Sequence, residues 1–276
     1  MREKRRDVVL THAVLVLASI VALYPFASIV SLALHEPGSR VSGFTLPDGL
    51  HFGNFINAWT RGGFSDALIS SAIVTFTVVT VAVLFSTLAG YALGTLRFPL
   101  RTGIVSVFLV GIIMPYEATI ISLYHMMSNL GILGSYGSVI LPQIGFSVAL
   151  GVFWMAAYFR SLPLSMIEAA SVDGANSFQT LRLVLLPMAA PAVGTLAALL
   201  FLYTWNEFLL ALVMLADNPS ARTAPVALSF FAGNRRHSDP GVTAAAAVYV
   251  ALPILIAYVF AQRKFVQGLM AGAVKE

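Results

Sequence analysis

Six long apolar runs, at 8–34, 69–96, 103–127, 135–159, 188–216 and 242–261, constrain this chain more than any other feature. Each is long enough to carry a helix across a bilayer, which takes about 20 mostly apolar residues. Only 10% of the 276 residues are charged, 58% are hydrophobic, and the mean hydropathy is +0.86. A soluble domain carries about 25% charged residues. That deficit disfavours a soluble globular enzyme and a disordered chain alike. The expected fold class is an all-α integral membrane protein with six transmembrane helices in a single membrane domain, 1–276. Pro25, Pro115, Pro142, Pro191 and Pro253 fall in or beside the runs. Membrane helices tolerate proline because neighbours satisfy the freed carbonyls.

The first run follows Arg2, Lys4, Arg5 and Arg6, as in a signal peptide. Its length far exceeds the 7–15 residues of a signal h-region, so it is read as a retained span. With the N-terminus inside, eleven of the 16 basic residues fall on inner segments, which places both termini in the cytoplasm. The outer segments are 35–68, a short turn near 129–134, and 217–241. The inner ones are a tight turn at 97–102 and a long stretch at 160–187. The net charge of +4 is weak for this length and calls for no nucleic acid. With no cysteine, disulfides and thiolate chemistry are excluded. None of the five histidines stands in an HExxH or HxxxH pattern, and neither catalytic nor metal-ligating residues are expected. His12, His35, His51 and His237 read as terminal or loop residues, and His125 and Gln143 as interfacial ones near span ends.

The inner stretch 160–187 is long for a compact bundle, and such loops are usually functional. Ser165-x-x-Glu168 has the form of a capping box, so a helix is expected from Leu164 or Ser165. Gly174 falls where that helix must turn, and Asn176-x-x-Gln179 opens a second one. The product is a helix–turn–helix at the cytoplasmic surface. A lipid-lying helix favours a basic face. Only Arg160 and Arg182 flank this one, beside acidic Glu168 and Asp173, so a protein partner is favoured.

Glu168-Ala169-Ala170, Gly174 separated by nine residues from Val184, and Leu186-Pro187 resemble the EAA loop of importer-type ABC transporter permeases. Val184 stands where the family has Ile. Asp173 before Gly174, Trp205-Asn206-Glu207-Phe208, Thr223-Ala224-Pro225-Val226 and the tail from Gly268 to Lys275 resemble the MalG-like subunits of the carbohydrate-uptake branch. Glu276 departs from the usual glycine. The resemblance runs from about Phe55 to Lys275 and implies a type-1 transmembrane region over 66–262.

It further implies a prokaryotic cytoplasmic-membrane permease paired with a similar second permease. Two ATPase subunits would carry ATP and Mg, and an extracytoplasmic binding protein would deliver a sugar. This chain would have no cofactor of its own. Glu168, Ala169, Ala170, Asp173, Gly174, Leu186 and Pro187 map onto the ATPase-coupling element. The chain has no GxxxxGK[ST] run, consistent with a separate ATPase.

Inside the runs, Glu207 and Asn206 have two readings: lining of a sugar path with Trp205 and Tyr203, or a structural bond to a neighbouring helix. Glu117, after Met114-Pro115-Tyr116, has the same two. A carboxylate at membrane depth costs about 2.5–3.5 kcal/mol on insertion scales and so faces the bundle interior or water. Arg235, Arg236 and His237 form a basic cluster in the last outer loop, read either as a docking point or as a solvated loop. The alternatives are the same machinery importing glycerol phosphate or another polyol, an ion-coupled secondary transporter, and an intramembrane enzyme.

Overall fold

Along the long apolar runs the backbone must satisfy its own polar groups, and helices do so locally. A computed structural model describes residues 5–39, 41, 43–61, 63–233 and 239–273. Among these, all regular structure is helical. In chain order it comprises α1 (Arg5–Ala33), α2 (Gly53–Arg61), α3 (Phe64–Thr95), α4 (Arg101–Ile113), α5 (Tyr116–Asn129), α6 (Tyr136–Ser161), α7 (Leu164–Val172) and α8 (Ser177–Gln179). A π-helical turn (Thr180–Leu185) joins α8 to α9 (Leu186–Trp205). Then follow α10 (Leu209–Met214), a 3-10 turn (Pro219–Ala221), α11 (Ala224–Gly233) and α12 (Pro240–Ala273). Five stretches are long and apolar enough to cross a membrane, or six if α4 and α5 count as one broken span.

Two of the expected runs are interrupted. The run 103–127 bends by 99° between α4 and α5. Pro115 has no N–H to continue the helix, and it pushes Met114 into an extended conformation, with ψ 123°. The run 188–216 stops at Trp205 and resumes at Leu209, while its helical beginning reaches back to Ser177.

The contacts divide the chain into two units. The first comprises the described residues of 1–65 and 227–252. It holds α1, whose sides are almost wholly exposed. Its described residues between 35 and 65 include a helix, α2, and specific side-chain bonds rather than loop alone. Asn54, fully buried on α2, donates from Nδ2 to the carbonyls of Ala33 (3.2 Å) and His35 (2.8 Å). His35 lies in the loop after α1, as expected, but is buried there, with Nδ1 on the Ser31 carbonyl and Nε2 on the Thr45 hydroxyl. Gly241 lies against Asn54 so closely that a Cβ there would sit 2.6 Å from Nδ2. The rings of Phe55 and Trp59 both pack on Tyr249.

The second unit comprises the described residues of 66–226 and 253–276. Its helices meet through small residues, the usual means of close approach in membranes. On α3, Ser86, Gly90 and Gly94 recur every four residues and face α6. A Cβ on Gly90 would lie 3.0 Å from the Ala156 backbone nitrogen, and one on Gly151 would overlap the Ser86 hydroxyl. One core gathers Val74, Val78, Ile120, Met127, Val139, Leu210 and Met214. A second gathers Tyr91, Met155, Phe159, Leu181, Leu185, Leu196 and Leu200.

Candidate functional site

Two features of the second unit bear on function: the 160–187 segment and a cavity beside α6 and α9. Helix α7 begins directly after Pro163, whose extended backbone forms its N-cap. Ser165 therefore lies inside the first turn, and the capping box expected with Glu168 does not form. The C-terminus has a full Schellman closure. The Ala175 N–H donates to the Ala170 carbonyl (2.9 Å) and the Gly174 N–H to that of Ser171 (3.1 Å). Gly174 has φ +80°, a left-handed conformation that costs other L-residues free energy. Two residues on, Asn176 and Gln179 form a reciprocal capping box, at 2.9 and 2.8 Å. The Tyr91 hydroxyl donates to the Ser177 carbonyl (2.9 Å) and ties this second helix to α3.

Exposure sorts the residues of this segment. Ala170 is buried, whereas Glu168, Ala169, Asp173 and Gly174 are exposed. Among the described residues, Glu168 has no hydrogen-bond or ion-pair partner. Leu164 and Val172 expose 69% and 87% of their surface, so α7 leaves apolar side chains uncovered beside its polar ones. Leu186 and Pro187 open α9. Pro187 has no N–H to return to Leu183, and just before it the helix widens so that Leu186 N–H bonds Leu181.

Arg160, at the start of this segment, belongs to an anchor that sequence reading missed. The Leu93 carbonyl, near the end of α3, accepts from Arg101 Nε (3.1 Å), Arg101 Nη2 (2.6 Å) and Arg160 Nη2 (3.2 Å). Guanidinium groups here satisfy a helix-end carbonyl and oppose the negative end of the helix dipole. The sequence showed both arginines only as inner-side charge.

The cavity, of about 430 Å³, is walled by the ends of α4 and α5, by one side of α6 and by the last turns of α9. Gly111, Ile112 and Met114 contribute from α4 and its end, and Tyr116 from α5. Gln143, Phe146, Ser147 and Leu150 come from α6, Leu200, Tyr203 and Thr204 from α9, and Glu207 from the break that follows. Glu207 Oε1 accepts the Leu210 N–H (2.8 Å), so the acid also caps α10.

Of the residues proposed for a sugar path, the structure brings only Tyr203 and Glu207 to this wall. Trp205 is buried and stacked on Phe201, with centroids 5.6 Å apart. Asn206 Nδ2 bonds the Leu202 carbonyl of its own helix (2.8 Å). Glu117 is exposed in the first turn of α5, where an acid suits the helix dipole. Gln143, expected at an interface, is instead buried in the wall. Its signal was an amide directly after a proline inside an apolar run. The Arg235, Arg236 and His237 cluster lies outside the described residues, as do Lys275 and Glu276.

Among the described residues, all-helical structure with apolar membrane-length helices, one bent helix pair and a mostly apolar cavity carrying a few polar groups is the architecture of an integral membrane protein. Residues 82–265 match the family described as binding-protein-dependent transport system inner membrane component, and the chain belongs to that family. It is 34% identical to the trehalose transport system permease protein SugB of Mycobacterium tuberculosis, over 92% of this chain and 93% of that protein. It is 29% identical to the trehalose/maltose transport system permease protein MalG of Thermococcus litoralis, over 100% and 99%. The diacetylchitobiose uptake system permease protein NgcG of Streptomyces coelicolor is 30% identical, over 97% and 89%. Among solved structures, a bacterial ABC transporter that imports the acidic polysaccharide alginate matches with a TM-score of 0.81 and 25% identity, over 96% of this chain and 98% of that one.

Proposed function

We propose that the chain is one of two different permease subunits of an ATP-driven sugar importer in the cytoplasmic membrane of a prokaryote. It crosses the membrane six times, with α4 and α5 as one broken span and both termini in the cytoplasm. A second homologous permease, two ATPase subunits carrying ATP and Mg, and an extracytoplasmic solute-binding protein complete the machine. The 160–187 segment docks on an ATPase through α7, with Glu168, Ala169 and Asp173 at the contact. ATP-driven closure of the ATPase pair moves α7, and alternating access follows.

One observation carries this reading: α7 is joined to a wall of the cavity by a stiff chain of closed turns. The Schellman turn at Gly174, the Asn176–Gln179 box and the π turn before Pro187 leave no slack between α7 and α9. A displacement of α7 therefore reaches Tyr203 and Glu207 through helix rather than loop. Shifting a two-state population from 1:99 to 99:1 takes about 5.5 kcal/mol of differential binding, which two coupling helices would share.

The test is purification of the tagged chain from its native membrane in mild detergent, wild type beside the double variant Glu168→Arg, Gly174→Leu. A P-loop ATPase and a second permease are expected with the wild type, and the ATPase is lost from the variant. Equal ATPase recovery with both would remove α7 as the docking element.

A further inference from the structure

Building on the sugar-importer reading, we propose that this chain's own cavity holds an uncharged saccharide ring, with Gln143 as its principal polar contact, and turns away uronates. Gln143 is 93% buried in the wall, and its Oε1 has no hydrogen-bond partner. Buried polar atoms are nearly always paired, so an unpaired amide oxygen in a residue that lines this cavity marks where a ligand donor belongs. The Tyr116 hydroxyl is buried beside the Glu207 carboxylate without a partner in hydrogen-bond geometry. Gln143 Oε1 and Glu207 accept from sugar hydroxyls, and the Tyr116 hydroxyl both donates and accepts. Phe146 and Tyr203 give the wall apolar ring faces for the C–H side of a pyranose.

Charge sets the selectivity. The lining includes the acid Glu207 and no Lys, Arg or His. A uronate carboxylate entering here would lose its hydration, meet a like charge and find no cation. The cavity therefore predicts an uncharged cargo, unlike the acidic polysaccharide of the structurally similar alginate importer.

The experiment uses the assembled transporter in proteoliposomes, with trehalose, maltose, diacetylchitobiose and an alginate diuronate as probes. The chain contains no cysteine, so Ser147→Cys supplies a single label site in the wall. The transported uncharged sugar is expected to slow maleimide labelling at Ser147→Cys about fivefold or more, and the diuronate to leave it unchanged. Gln143→Leu is expected to raise the uptake KM about tenfold, the worth of one hydrogen bond, with kcat held. If Gln143→Leu fails to assemble with the ATPase, the protection measurement decides, because Gln143 is intact there. Uptake by wild type with no protection at Ser147→Cys overturns the proposal alone, as does an unchanged KM in an assembled Gln143→Leu transporter, or uptake of the diuronate in preference. If wild type takes up none of the four saccharides, the sugar-importer reading falls and this one with it.

Discussion

Gly174 and Asn176 hold the turn between α7 and α8 by different physics. Gly174 sits at φ +80°, where a side chain costs about 1–2 kcal/mol. Asn176 accepts the Gln179 N–H, and loss of such a cap costs about 1 kcal/mol. Gly174→Leu is expected to lower thermal stability of the purified chain and to uncouple the ATPase. Asn176→Ala is expected to cost about half as much stability while the ATPase remains bound. Differential scanning fluorimetry and co-purification read the two effects separately. Both residues were legible in the sequence because turns and caps are local chemistry. Gln143 was not, because its burial depends on which helix passes opposite. Ser165 misled for a related reason: Pro163 starts the helix two residues earlier and takes the cap position.

Among the helices, sequence patterning located the apolar runs well and their breaks less well. Pro115 breaks its run, whereas Pro142, Pro191 and Pro253 lie inside continuous helices. Proline alone does not decide the outcome, since neighbours can satisfy the freed carbonyls. Pro115→Ala is expected to relax the 99° bend. Spin labels at Ser106→Cys and Ser128→Cys would then move toward the roughly 33 Å of a straight helix, as pulsed electron resonance measures. Retention of the shorter wild-type distance would show that packing, not Pro115, sets the bend. The α3–α6 pairing offers a contrast of two glycines. Gly90 has no room for a side chain against Met155 and Ala156, whereas Gly145 has open space. Gly90→Leu is expected to abolish folded yield, by size-exclusion profile, and Gly145→Ala to leave it unchanged or improved.

For the whole molecule, the features that the permease reading uses are distributed: an exposed α7, an arginine-anchored end of α3 at Leu93, and a cavity between α6 and α9. The α7 segment was visible as a spacing of glutamate, alanines and glycine, because it is contiguous. The cavity was only half visible, because its wall is assembled from three separated stretches, 111–116, 143–150 and 200–207. Tyr203 and Glu207 reach it, while their neighbours Trp205 and Asn206 turn into packing and into their own helix. The central claim is that sugar crosses this chain only when ATP is spent on a partner docked at α7. The most direct measurement is uptake of a labelled sugar into proteoliposomes containing the purified transporter, its binding protein outside and ATP either present or absent within. Accumulation that requires ATP, and that disappears with Glu168→Arg, Gly174→Leu, is the result expected. Uptake by this chain alone, without ATP or an ATPase, would contradict the account.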